Sequence, residues 1–219
     1  MLRTVVVILL IILGIGILLG LIKWKKSELA FKAIVVLLII TFITEFIGGI
    51  LPYFGYKYNV TVYKIFDPIQ VVLFSYIFYQ LYQTPPMKKF ALYGCGVTLI
   101  LLTISTIINI RPDVDNAIGV TMKCALYILL SLMKFTEMLR IPSEDNIVAD
   151  PSFWFCSGVF FFFSVNIMQW VSIKTFTDEN AKQAVIALHV YCNYIFYSIV
   201  AFSFLLIPFK KSQPLVTHE

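Results

Sequence analysis

The sequence predicts an all-α, polytopic membrane protein with seven transmembrane helices. Of its 219 residues, 60% are hydrophobic and only 13% are charged, whereas soluble domains carry about 25% charged residues. The apolar residues also form seven continuous runs, each near the roughly 20 residues that a helix needs to cross a bilayer. Because almost every residue lies in such a run or in a short connector, residues 1–219 are expected to form a single domain.

The runs predict helices rather than strands, because each is continuously apolar instead of alternating. In chain order, the predicted helices cover about residues 4–22, 33–51, 63–82, 90–110, 117–139, 153–173 and 184–207. The first run resembles a secretory signal peptide, but its apolar core is too long and no A-x-A-like site follows it. We therefore expect this run to be retained as the first helix.

Local signals indicate where some helices begin and how one of them packs. Asp150, Pro151 and Ser152 predict a helix start, with a cap at Asp150 or Ser152 and the proline in the first turn. Gly16 and Gly20 form a G-x-x-x-G pair, which predicts close packing of the first helix against a neighbour.

The basic residues predict how the helices are oriented in the membrane. Of the 17 Lys and Arg residues, nine lie on the side of the first, third and fifth connectors and the tail, and five lie on the opposite side. The nine are Lys23, Lys25, Lys26, Lys32, Lys88, Lys89, Arg140, Lys210 and Lys211, and the five are Arg3, Lys57, Arg111, Lys174 and Lys182. Because cytoplasmic loops carry the excess of positive charge, the N-terminus is expected outside and the C-terminus in the cytoplasm.

Polar residues inside the runs gather in one half of the predicted bundle. They are Glu45 on the second run, Tyr63, Asp67 and Gln70 on the third, Lys123 on the fifth, Asn166 and Gln169 on the sixth, and His189 and Asn193 on the seventh. Since successive helices cross in opposite directions, all of them fall in the same half of the membrane in either orientation. Spacings of three or four residues place the members of one helix on one face. We expect that face to point inwards, because polar groups that face lipid are costly.

Glu45 raises the question of how an apolar helix accommodates a carboxylate. An unpartnered carboxylate there costs roughly 2.5–3.5 kcal/mol on insertion scales. Lys123 is the one cation predicted at a similar depth, so we expect it to pair with Glu45 or with Asp67. Asp67 precedes Pro68 and could instead cap the third helix. His189 would make such a site sensitive to pH.

These polar residues predict either a ligand or ion site or a structural network that fixes the packing of the helices. Intramembrane ionisable groups favour the functional interpretation. In the opposite half, Lys134 and Glu137 are expected to pair or to reach the headgroups. The run from Phe160 to Phe163 is expected to pack in the core or face lipid rather than to form an aromatic ligand cage.

Several classes of function lack the residues that they need. The four cysteines share no C-x-x-C spacing and predict buried thiols, with a Cys124–Cys192 disulfide as the alternative. With His189 and His218 the only histidines, we expect no metal and no cofactor. The sequence contains no phosphate loop, no G-x-S-x-G and no H-E-x-x-H, and no mid-helix lysine of the retinal type in the seventh run. The basic residues are scattered over separate loops, which argues against nucleic-acid binding.

Three stretches carry a resemblance to a known group of proteins. They are ITEFIG at 43–48, NVTVYKIFDPIQ at 59–70 and DPSFWFCSGVFFFF at 150–163. These stretches resemble small bacterial seven-helix inner-membrane proteins with no assigned function. The resemblance implies a multi-pass topology in a bacterial inner membrane, in contact with the lipid bilayer, and implies no catalytic residue.

The chain is also similar to the three-plus-one-plus-three transporters of the sugar-efflux and PQ-loop type. Two triple-helix repeats would place three pairs of polar residues at equivalent positions, since each pair has nearly the same offset. The pairs are Asp67 with His189, Glu45 with Asn166, and Gln70 with Asn193. The first and fifth runs lack proline, however, where the Pro-Gln motif of that family would be expected.

The function expected from the sequence is reception of a small polar ligand or a proton in the extracytoplasmic half. The tail after Pro208 is too short for an output domain, so a receptor would signal through a separate membrane or cytoplasmic protein partner. The alternatives are a small-solute transporter, whose pocket must open to both sides in turn, and a structural subunit of a membrane complex. An enzyme is less favoured, although Glu45, Asp67 and His189 could serve as acid and base.

Overall fold

A computed structural model of the chain describes residues 2–54, 60–108, 117–141, 146–175 and 178–207. Within these ranges the long elements are α-helices and no strand occurs. The helices are α1 (Leu2–Lys23), α2 (Leu29–Ile50), α3 (Val60–Leu81), α4 (Pro85–Ile108), α5 (Ala117–Arg140), α6 (Pro151–Thr175) and α7 (Glu179–Leu205). All seven are long and apolar enough to cross a membrane. The prediction of an all-α chain with seven helices that can span a membrane is therefore confirmed for the described residues, while the orientation stays a prediction. Of the residues named for orientation or metal binding, Lys57, Arg111, Lys210, Lys211 and His218 lie outside the described residues.

Several helices begin earlier than the apolar runs predict. α4 begins at Pro85 instead of residue 90, and α7 begins at Glu179 instead of residue 184. The first turns of these helices carry polar and charged residues, which hydropathy alone assigns to the connectors. In α7 the side chain of Asp178 accepts a hydrogen bond from the backbone N–H of Asn180 at 3.1 Å. This cap satisfies one of the free N–H groups of the first turn and allows a polar start.

The predicted start of α6 is confirmed. The helix begins at Pro151, and the Asp150 side chain accepts a hydrogen bond from the Ser152 N–H at 2.8 Å. Asp150 is therefore the capping residue, and the proline occupies the first helical position, where it has no N–H to leave unsatisfied.

The helices close into a ring in chain order. Each helix packs against the next, and α7 packs against α1. α3 also contacts α5 across the bundle. Because successive helices are antiparallel, α1, α3, α5 and α7 all begin at the same end. We call this the upper end and the opposite one the lower end.

Aromatic side chains fill the middle of the bundle. Phe74 and Tyr127 stack at 4.4 Å between ring centroids, and Phe163 meets them edge-on at 5.5 and 4.6 Å. We call these three residues the aromatic layer; all are buried. In the run from Phe160 to Phe163, the first two side chains are exposed and the last two are buried. Phe160 and Phe161 thus face outwards, as expected, whereas Phe162 and Phe163 are buried and also line the cavity described below, which the expectation of packing alone did not include.

The lower end is held by a buried ion pair. Lys134 Nζ lies 2.9 Å from a Glu137 carboxylate oxygen and also donates to the Leu81 carbonyl at 2.7 Å. The other Glu137 oxygen accepts from the backbone N–H groups of Gln83 and Thr84 at 3.0 and 2.8 Å. The expected pairing is therefore confirmed, and it joins the end of α3, the start of α4 and the last turns of α5.

Glycine allows α1 to pack tightly between α2 and α7. A Cβ atom added at Gly16 would meet Leu38 and Ala201, and one added at Gly20 would overlap Val35 and lie 3.2 Å from the Phe204 ring. The predicted close packing through this pair is confirmed. By contrast, a Cβ atom at Gly14 would have no neighbour within 4 Å.

We predict that Gly20→Ala lowers the free energy of unfolding by about 1–3 kcal/mol, because the new methyl group overpacks the contact with Val35 and Phe204. Gly14→Ala is the matched control, since it makes the same chemical change in open space. Thermal unfolding of both variants in detergent measures the difference. Equal stability of the two variants would contradict tight packing at Gly20.

Candidate functional site

An ion pair between α3 and α5 lies at the centre of the upper half. The Lys123 ammonium contacts the Asp67 carboxylate directly and also donates to Gln70 Oε1 at 2.9 Å. All three side chains are buried. Asp67 and Gln70 are three residues apart, so one face of α3 presents both oxygens to the lysine. The pair neutralises both charges where water is scarce.

Of the two partners considered for Lys123, the structure therefore shows Asp67. The alternative role of Asp67 as the cap of α3 is wrong, because α3 begins at Val60 and continues through Pro68. Asp67 thus lies about two turns inside the helix. Pro68 has no N–H to donate to the Lys64 carbonyl, so it removes one backbone hydrogen bond. Prolines inside membrane helices are tolerated where neighbouring groups satisfy the freed carbonyl.

Glu45 makes a different contact. Its carboxylate accepts a hydrogen bond from the Tyr63 hydroxyl at 3.1 Å. Among the residues that the structure describes, no Lys, Arg or His forms an ion pair with Glu45; the ion pairs there belong to Asp67, Glu137 and Glu179. Of the two carboxylates that line the cavity described below, Asp67 has a cationic partner and Glu45 has none among the described residues.

His189 and Gln169 form a second hydrogen-bonded pair, between α7 and α6. Gln169 Nε2 donates to the Val185 carbonyl at 3.3 Å, which leaves Gln169 Oε1 facing His189 Nδ1 at 2.7 Å. Since the glutamine oxygen is an acceptor, Nδ1 must carry the proton. In the neutral imidazole, Nε2 is then an acceptor.

The side chains of the two asparagines are oriented in the same way as that of Gln169, with the amide nitrogen bound to a helix carbonyl. Asn166 Nδ2 donates to the Phe162 carbonyl at 3.1 Å, and Asn193 Nδ2 donates to the His189 carbonyl at 3.0 Å. Each amide nitrogen is thus bound to its own helix, and each side-chain oxygen keeps its capacity to accept a hydrogen bond.

These groups surround one cavity of about 370 Å³. Eight of the nine residues predicted from the sequence line it, and the ninth, Gln169, lies behind His189 and orients its ring. The eight are Glu45, Tyr63, Asp67, Gln70, Lys123, Asn166, His189 and Asn193. A cavity of this size is in the range of small-molecule sites. Whether it binds a ligand stays a prediction.

Half of the lining was not singled out from the sequence. These residues are Val60, Lys64, Val120, Cys124, Phe162, Phe163, Trp170 and Tyr197. Lys64 corrects the expectation that Lys123 is the one cation at this depth, because both lie on the cavity. Lys64 lies three residues before Asp67, and this helical spacing was the available signal that both side chains share one face of α3. The aromatic residues carry no such signal, since aromatic side chains occur on every side of these helices.

The cavity has an aromatic floor. Phe163 of the aromatic layer lines it, and Phe74 and Tyr127 lie one helical turn below Gln70 and Lys123. The layer therefore separates the polar upper half from the lower half of the bundle.

The described residues offer little for metal or thiol chemistry. No group of three or more His, Cys, Asp or Glu side chains that could hold a metal ion occurs within the described ranges. All four cysteines are free, so the alternative of a Cys124–Cys192 disulfide is wrong.

No protein-family model, no curated protein and no solved structure matches this chain. The resemblances inferred from the sequence therefore stay predictions, and the cavity is interpreted from its own residues.

We predict that Lys123→Met destabilises the protein by about 3–5 kcal/mol, because it leaves the buried Asp67 charge without its partner. The double variant with Asp67→Asn should recover much of this loss, since the unpaired charge is removed as well. Thermal unfolding in detergent measures all three proteins.

The matched control is Lys182→Met, which removes one member of the exposed pair with Glu179. It should change stability by at most about 1 kcal/mol. Similar losses in the two lysine variants would contradict a special role for the buried pair.

Proposed function

We propose that this protein is a receptor-like membrane protein that binds a small polar ligand in the upper cavity. The observation that carries the proposal is the cavity itself, which combines ionisable and amide groups with aromatic walls inside an apolar bundle. Intramembrane ionisable residues are rare and commonly mark ligand or ion sites. The location in a bacterial inner membrane and the cytoplasmic position of the lower end belong to the same proposal and rest on the sequence.

The one-sided shape of the site favours reception over transport. Polar lining residues occupy the upper half, and the aromatic layer lies beneath them, with Phe163 on the cavity lining. A transporter must expose its site to both sides in turn. To do so here, the packed rings of Phe74, Tyr127 and Phe163 would have to separate.

The contact between α3 and α5 offers a route from the cavity to the lower end. At the top, Lys123 of α5 holds Asp67 of α3. At the bottom, Lys134 of α5 holds the Leu81 carbonyl of α3. A ligand that displaces Lys123 would shift α5 against α3 and disturb the lower contact, where a separate protein partner would detect the change.

The rival proposal of a small-solute transporter has one observation in its favour. If α1–α3 and α5–α7 are treated as two repeats, the contact of α1 with α7 corresponds to that of α5 with α3, and both occur. The third proposal, a structural subunit, treats the same polar contacts as packing alone.

We predict that the protein, gently extracted from its own membrane, carries a small bound molecule that native mass spectrometry detects. Val120→Trp should remove this mass, because Val120 lines the cavity and the larger side chain fills it. Val97→Trp is the matched control, since Val97 lies on the exposed face of α4. Loss of the bound mass in Val120→Trp alone supports the proposal. If both variants retain the bound mass, the molecule binds outside the cavity. If the unaltered protein carries no bound mass, a stable receptor complex is contradicted.

A flux measurement separates reception from transport. Once the bound molecule is identified, its labelled form should bind to proteoliposomes that contain the protein without accumulating inside them. Uptake into the lumen that Val120→Trp abolishes and Val97→Trp retains would make the transporter the correct function.

A further inference from the structure

The hydrogen-bonding capacity left in the cavity has a consistent polarity. Glu45 accepts one hydrogen bond from Tyr63, and its carboxylate has room for several more. The side-chain oxygens of Asn166 and Asn193 are acceptors, because both amide nitrogens are bound to helix carbonyls. Neutral His189 adds Nε2, since Gln169 fixes the proton on Nδ1. Four side chains on α2, α6 and α7 therefore present acceptors.

The donors of Lys123 and Tyr63 are largely used, while Lys64 and Trp170 add further donor groups to the cavity lining. Two of the three N–H groups of Lys123 are occupied by Asp67 and Gln70. The Tyr63 hydroxyl donates to Glu45. A ligand that complements the acceptors of Glu45, Asn166, His189 and Asn193 must therefore bring donors to that part of the cavity.

The charges of the cavity also favour a ligand that carries donors. Asp67 and Lys123 neutralise each other, and Lys64 also lines the cavity, but among the described residues no cation forms an ion pair with Glu45. Buried carboxylates are stabilised by opposite charge, and aromatic faces also attract cations. Tyr63, Phe162, Trp170 and Tyr197 are aromatic residues of the cavity lining.

We propose that the ligand of this cavity carries a small organic ammonium group, with Glu45 as its counter-ion and the amide oxygens and His189 Nε2 as further acceptors. The inference rests on the proposed receptor function and specifies its ligand class. The cavity volume of about 370 Å³ suits an organic molecule rather than a bare ion, and the described residues form no metal-binding cluster.

The test compares three probes of nearly equal size and different charge: benzylammonium, benzyl alcohol and benzoate. Each is titrated at neutral pH against the full-length protein in lipid nanodiscs. Trp170 lines the cavity, so its fluorescence reports binding, and Trp170→Phe identifies the part of the signal that comes from the site. We expect benzylammonium to bind at least about tenfold more tightly than either analogue, because it alone can form charge-assisted hydrogen bonds with Glu45.

Glu45→Gln should weaken benzylammonium binding at least about tenfold, because it removes the negative charge and replaces one acceptor oxygen by an NH2 donor in a side chain of the same size. Glu179→Gln is the matched control, since Glu179 is exposed and pairs with Lys182 on the surface. If Glu45→Gln fails to fold, the comparison of the three probes on the unaltered protein still decides the preferred charge.

Each other outcome contradicts the inference in a recognisable way. Preferential binding of benzoate, lost in Val120→Trp, would keep the receptor site but assign it to anions held by Lys64 or Lys123. Equal binding of all three probes, or unchanged benzylammonium binding in Glu45→Gln, would remove the role of Glu45. Absence of benzylammonium binding at millimolar concentration would overturn the ligand class, while native mass spectrometry decides the receptor function independently.

Discussion

The rest of the structure depends on the buried contact between Lys123 and Asp67. Two opposite charges in an apolar bundle must meet, because either one alone would be several kcal/mol less stable there. Their pairing fixes the rotation and depth of α5 relative to α3, and Gln70 holds the lysine from the same helical face. The same pair removes Lys123 as a partner for Glu45. The chemistry of the cavity therefore follows from how its strongest charges are paired.

The fold was largely predictable because the bilayer imposes a length on every spanning helix. Apolar runs of suitable length gave the seven helices, and the alternation of helix directions placed Glu45, Asp67 and His189 in one half. Helix starts were less predictable, as α7 shows, since a cap such as Asp178 stabilises a polar first turn that hydropathy assigns to a loop.

Of the residues that line the candidate site, only the polar ones were predictable from the sequence. Intramembrane polar residues are few, so each one carries information, and spacing assigns them to faces. The choice between Glu45 and Asp67 as partner of Lys123 was not predictable, because it depends on the contact of α3 with α5, which no spacing along one helix encodes. Trp170 and Tyr197 were also missed, because aromatic residues occur throughout these helices and the sequence does not distinguish those that face a cavity.

The aromatic layer has an electrical consequence. The packed rings separate the cavity from the lower half, and the cavity lining extends along α3 from Val60 to Gln70, about 15 Å along the helix axis. If water fills this cavity, it carries the potential of the upper side down to Phe163, and the membrane voltage falls mainly across the lower half. A charge beside Glu45 would then experience little of that voltage. The occupancy of the cavity would follow the concentration of the ligand in the upper compartment and would be nearly independent of the membrane voltage.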